Sequence, residues 1–353
     1  MSGDGSDTVG DESADRLDRI VTVPCEGADV LALFDLATGD PLGEVPVGSH
    51  PVHATTLAER TFVATMGERA VTAVDGGGEV TRVETGVLGP SHFATAAGEL
   101  YVSCSAGDAL AVIDPSDSTL VERISVGAEP HELAVGPDER RLYSGSRRTG
   151  AIDVVDTATH DRVGAVDVGS NARVQGVALG PNGRRGYAVD QRGGRVVAFA
   201  PSAAANGPLE GSDAEHVDGR PGEAWKAAPV GADPYDLVVT ADRVFVPGRG
   251  DGTVHEFSSD LTLEAVHDGF SRPVDLFRAS GRWWVLDGET ARLRALDGTV
   301  VDTPAPGLAA VPVGGGRLVV SHYDDDRLSL VDVNAGTVWT AECPAHPFGA
   351  VVV

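Results

Sequence analysis

Lysine is almost absent from this chain: of 27 basic residues one is Lys226 and the rest are arginines, against 53 acidic residues. The formal net charge of -26 argues against a nucleic-acid partner, because affinity for a phosphate backbone comes from clustered Lys and Arg. An acid-rich, lysine-poor chain points instead to concentrated salt, as in halophilic microbes, where ions screen the self-repulsion of such a surface. Cysteine is scarce as well. Cys25, Cys104 and Cys343 make no CxxC or Cys/His metal spacing and read as reduced thiols within strands. No Gly-rich phosphate loop, GxSxG elbow, HExxH or CxxCH motif occurs, so covalent haem and nucleophilic serine chemistry have no support. Residues 1–18 (MSGDGSDTVGDESADRLD) contain no apolar run. They are expected to form a disordered acidic tail, neither a secretory signal nor a membrane anchor, on a cytoplasmic protein.

What the chain does have is a unit of about 40 residues, repeated. In its clearest copies, residues 91–127 and 131–169, four runs of alternating apolar residues are separated by Gly, Pro, Asp or Asn turns. That is the pattern of short antiparallel strands, and no segment shows sustained helical spacing. Units close at Gly48, Gly86, Gly127, Gly169, Gly231, Gly269 and Gly307, with an eighth near His346. The fold expected is an all-β propeller of four-stranded blades, eight rather than seven, since the spacings of 38, 41, 42, 62, 38 and 38 residues leave no unit to discard. The long interval holds residues 201–225, read as a surface insertion between the third and fourth strands of blade five. The chain ends on HPFGAVVV, a first strand without its other three, and residues 19–48 supply three strands without their first. The two ends are therefore expected to complete one blade, leaving no open sheet edge.

The units resemble the YVTN-type propeller repeat, whose pattern runs through Pro, a first strand, "PDG", a "lYV" strand, a "VID" strand and a closing "VG". It is met by EPHELAVGPDERRLYSG with AIDVVD, by LYVSCSAGDALAVID, and by DPYDLVVTADRVFVPG. The likeness covers residues 19–353 and implies a fold. Relatives of this kind are similar to cell-surface propellers, lactonase-type enzymes, quinoprotein subunits and the haem-binding propeller of dissimilatory nitrite reductases, so it implies no single activity.

In such a fold the first strand of each blade lines the channel, and the position two after each unit's Pro opens that strand at the mouth. These positions hold His53, His92, Glu132, Asp236 and Asp275, with Gln175 or Gly176 in blade five, Ala310 in blade eight and Gly349 in blade one. Neighbouring His53, His92 and Glu132 are the set expected to share a divalent cation, since imidazole and carboxylate are its usual ligands. Loops on the same face carry Arg147, Arg148, Arg192 and Arg249, with Arg173 nearby, and arginine forks suit carboxylate or phosphate groups. Two readings stay open: a non-catalytic propeller binding a protein or a small anionic ligand at the mouth, and a metal-assisted hydrolase of lactone type. The aspartates that end third strands, Asp35, Asp75, Asp114, Asp156, Asp297 and Asp332, are read as turn-formers. His160, His216, His255, His267 and His322 are expected to be exposed. Of the Trp283–Trp284 pair, one ring is expected between blades and the other facing outward.

Overall fold

The middle strands of each unit are apolar on both faces, and that demand sets the architecture. In blade three the second strand, Glu99–Cys104, has Leu100, Tyr101, Val102 and Cys104 fully buried; the third, Ala109–Asp114, has Leu110, Ala111, Val112 and Ile113 likewise. Such strands need cover on both sides. The fourth, Thr119–Ser125, buries Ile124 and leaves its other residues polar or half-exposed, as suits an outer edge.

The computed structural model describes residues 20–201 and 222–353. It resolves the demand by stacking eight four-stranded antiparallel sheets face to face in a ring, seven of them built from four consecutive strands and one from both ends of the chain, an eight-bladed β-propeller. Among the described residues helix is limited to the 3-10 turn Tyr323–Asp325. The tail at 1–18 and most of the insertion at 201–225 lie outside the described residues.

Apolar clusters fill the gaps between successive blades. Phe62 and Val71 of blade two meet Leu100, Val102 and Ile113 of blade three. Trp284 of blade seven is buried against Leu318, Val320 and Val331 of blade eight, and its indole N–H donates to Ala279 O at 3.2 Å. Trp283 does not face outward: it packs on Phe245 of blade six, ring centroids 4.7 Å apart. A strand sandwiched between two blades has no solvent face to offer a large side chain. His322 is likewise not exposed but fully buried, bonded to Pro306 O at 3.1 Å and Ser329 Oγ at 2.8 Å. His160, His255 and His267 are half-buried; His160 meets Glu99 at 2.8 Å and His267 meets Glu256 at 2.9 Å.

Local chemistry sets the turns. Asp35 Oδ1 accepts from the N–H groups of Ala37 and Thr38, Asp75 Oδ1 from Gly77 and Glu79, and Asp156 Oδ1 from Ala158 and Thr159. Each is an Asx turn closing one unit's third strand. Gly150 is required by crowding, since at its φ of +71° a Cβ would stand 1.9 Å from Gly169 O.

The ring is closed by the chain's two ends. Blade one takes Ile20–Cys25, Val30–Asp35 and Pro41–Pro46 from the start of the described chain and its inner strand, Val351–Val352, from the end. Val21 lies opposite Val352 and Thr22 opposite Val351. Ile20 and Val353 exchange backbone hydrogen bonds of 3.1 and 2.9 Å, and the Phe348 N–H donates to Pro24 O at 2.8 Å. Deleting residues 348–353 should therefore expose the inner edge of blade one and unfold or aggregate the protein, as read by thermal unfolding and size-exclusion chromatography; a soluble truncation of equal stability would contradict this register.

Candidate functional site at the channel mouth

Five inner strands carry the same irregularity where they enter the channel. In blade two Pro51 pairs with Thr65 but His53 with Ala64, and blades three, four, five and seven likewise insert one extra residue just after the position that opens the strand. A bulge of this kind unpairs its residues and re-aims their side chains. In blade four both residues after the Pro, His131 and Glu132, are thus placed at the mouth, rather than the second alone.

The consequence is an arc of rings from blades one to four and blade six. Phe348 meets His53 edge-on at 4.9 Å, His53 meets His92 at 4.6 Å, His92 meets His131 at 4.1 Å, and His131 meets Tyr235 at 5.8 Å, all between centroids. Arg249 stacks over Tyr235 at 3.6 Å and donates to Val274 O at 3.4 Å. His53 and His92 thus come together as expected, but the closest imidazole pair is His92 with His131, their Nε2 atoms 3.1 Å apart. His131, the residue directly after Pro130 in EPHE, was not among the candidates read from the repeat; its signal was an imidazole beside Glu132. The ligand atoms of His92, His131 and Glu132 all lie within 4.8 Å of one another.

Hydrogen bonds dictate where the protons sit. His131 Nδ1 lies 2.8 Å from the backbone oxygen of Gln175, an acceptor only, so Nδ1 carries the hydrogen and Nε2 presents its lone pair. Toward that lone pair point His92 Nε2, the Gln175 side-chain amide at 3.0 Å and the Tyr235 hydroxyl at 3.4 Å. His92 Nδ1 faces Glu132 Oε2 at 3.4 Å. A neutral His92 that donates from Nε2 to His131 leaves a lone pair at Nδ1, which a protonated Glu132 would satisfy.

The electrostatics agree with that assignment. Burial, then the charge of Asp236, pushes the Glu132 carboxyl up to about 8. Burial lowers His53 and His131 to about 4 and holds His92 well below its ordinary range, with the neighbouring imidazoles adding to the effect on His92. The imidazoles are neutral at ordinary pH, which is the ligating form. Asp236 is open to solvent but ringed by protein, and that surrounding raises its carboxyl; Leu237 N–H donates to its Oδ1 at 2.7 Å. Asp275 accepts from the Ala310 N–H at 2.9 Å, yet burial pushes it up to about 6. Gln175 is buried, with its Oε1 left without a hydrogen-bond partner.

Two of the five arginines stand by the mouth imidazoles. Arg249 joins the mouth, and Arg173 stands close enough to disfavour a charged His131. Arg148 pairs with Glu129 at 3.5 Å, while Arg192 donates to Asn171 O at 3.3 Å and lines a separate surface cleft with Asp190 and Arg195. Arg147 is half-buried, its Nε enclosed without a partner.

No family model and no curated protein matches the chain. Solved structures do. The dihydro-heme d1 dehydrogenase NirN, in complex with DHE, is 14% identical with a TM-score of 0.71 over 96% of this chain and 76% of that one. AztD from Citrobacter koseri, in its apo form, is 13% identical with a TM-score of 0.64 over 95% and 97%. The periplasmic gluconolactonase PpgL of Pseudomonas aeruginosa is 16% identical with a TM-score of 0.58 over 95% and 99%. At such identities the likeness is one of fold.

Ionising Asp275 is unfavourable in the folded state, so its contribution to stability is fully present below about pH 4 and is lost as pH rises through about 6. Asp275→Asn, which keeps the acceptor for Ala310, should be more stable than wild type by about 1–2 kcal/mol at pH 7.5, the gap vanishing near pH 4, by urea unfolding. A gap independent of pH would contradict the burial of this carboxyl. The chain is thus a β-propeller with lactonase-like and other propellers as structural neighbours, and its mouth gathers imidazoles from three successive blades.

Proposed function

We propose that this protein is a YVTN-type binding propeller whose channel mouth captures a divalent transition-metal ion. The observation that carries the reading is the pair of Nε2 atoms of His92 and His131, 3.1 Å apart, with a Glu132 carboxyl oxygen beside them. Two nitrogens bound to one tetrahedral zinc at about 2.0–2.1 Å stand roughly 3.3 Å apart, so the pair is close to ligating separation. The supports around it are those a ligand set needs. Gln175 O fixes the His131 ring from behind, and Glu132 can accept from His92 Nδ1 in the same way. The orphaned Gln175 Oε1 gains a partner if its amide turns toward the cation. Neutral imidazoles favour zinc, cobalt, nickel or copper over magnesium or calcium, which prefer all-oxygen cages. The acid-rich, lysine-poor composition supports a high-salt setting for the same protein.

Calorimetric titration of metal-stripped protein in high salt should show one tight site for zinc. His92→Ala and His131→Ala should each weaken it about 100-fold, His53→Ala by less than about fivefold, and magnesium should not compete. Binding unchanged in the His92→Ala/His131→Ala double variant would place the metal on the acidic surface and overturn the reading.

One observation favours a hydrolytic reading instead: Glu132, held protonated to about pH 8 beside the imidazoles, is suited to donate a proton to a leaving group. The binding reading expects zinc-loaded protein to leave glucono-δ-lactone hydrolysing at its uncatalysed rate. Saturable hydrolysis lost in Glu132→Gln would make the site catalytic.

A further inference from the structure

Two of the three cysteines, 318 positions apart in sequence, meet at the seam of the ring. Cys25 ends the second strand of blade one, and Cys343 directly follows the outer strand of blade eight, Gly336–Glu342. Their Sγ atoms are 3.6 Å apart and both residues are buried, in the apolar cluster that joins the two blades. Around them the chain ends are tied by short backbone contacts: Glu26 N–H to His346 O at 2.9 Å, Gly27 N–H to Ala345 O at 3.0 Å, and a bridge between Cys25 and Pro347. Every other blade is a continuous stretch of chain; this one is held by a two-residue inner strand.

We propose that Cys25 and Cys343 form an oxidation-dependent staple that locks the ring seam. A sulfur–sulfur bond is about 2.05 Å long, so closing the gap takes a shift of roughly 1.5 Å, within the reach of side-chain rotation. With a peroxide as oxidant, one thiol attacks oxygen, the O–O bond breaks, and a sulfenic acid and one water result. The second thiol then attacks that sulfur, the S–O bond breaks and a second water leaves. Two thiols have lost two electrons and two protons, and the peroxide has become two waters. The reaction is slow while the seam is shut, because the hydrogen bond to Cys25 and burial push the Cys343 thiol up and leave little thiolate. Opening of the seam sets the rate, and the bond, once made, keeps the two chain ends together in the unfolded ensemble as well. Cys104 lies in the cluster between blades two and three and is an internal control.

The test treats folded protein with hydrogen peroxide, blocks residual thiols after denaturation, and maps peptides by mass spectrometry beside a melting curve. The staple predicts a Cys25–Cys343 cross-linked peptide, an unmodified Cys104, and a melting temperature raised by about 5 °C that dithiothreitol reverses. Cys104→Ser should keep both effects and Cys343→Ser should lose both; Cys25→Ser serves as a second check should Cys343→Ser fold poorly. Absence of the cross-linked peptide at peroxide levels that oxidise Met66, or a cross-link that leaves the melting temperature unmoved, overturns the proposal. Neither result bears on the metal site.

Discussion

A blade whose middle strands are apolar on both faces is stable only between two other blades, and the ring architecture of this molecule follows from that constraint. An open stack would leave two apolar faces in water; a closed ring leaves none. Closure is fastened here by assembling one blade from both ends of the chain, and it brings Val21, Val23 and Phe34 of blade one against Val319, Leu328 and Leu330 of blade eight. The same closure draws eight inner strands toward one axis and so makes a channel mouth, where residues distant in sequence become neighbours.

The mouth then depends on a local departure from regular pairing. With an unbroken ladder, His131 and Glu132 would point to opposite sides of the strand. The extra residue after Pro130 releases both, and a chain of polar contacts can run from Glu132 through His92 and His131 to the backbone of Gln175. Without a cation its geometry asks for a proton on Glu132; with one, two lone pairs have a common target.

Much of this was legible in the residues. The period, the eight units, the joining of the chain ends and the turn-forming aspartates follow from spacing and from turn chemistry, which are local. His53, His92, Glu132, Asp236 and Asp275 were found by aligning units, because a ring position recurs once per blade. What stayed hidden depends on contacts the repeat does not encode. His131 was missed because strand alternation allows one inward residue where the bulge provides two. His322 reads as polar but has buried partners, Pro306 O and Ser329, and the opposed sulfurs of Cys25 and Cys343 are separated by nearly the whole chain. Arg148 was expected to serve an anion and is instead partnered by Glu129.

The most direct measurement is a diffraction experiment at the zinc absorption edge on crystals of the zinc-loaded protein grown in high salt. The account predicts an anomalous peak at the channel mouth bonded to His92 Nε2 and His131 Nε2, with the Gln175 backbone oxygen still accepting from His131 Nδ1. A mouth free of anomalous density, with zinc found on surface carboxylates alone, would contradict it.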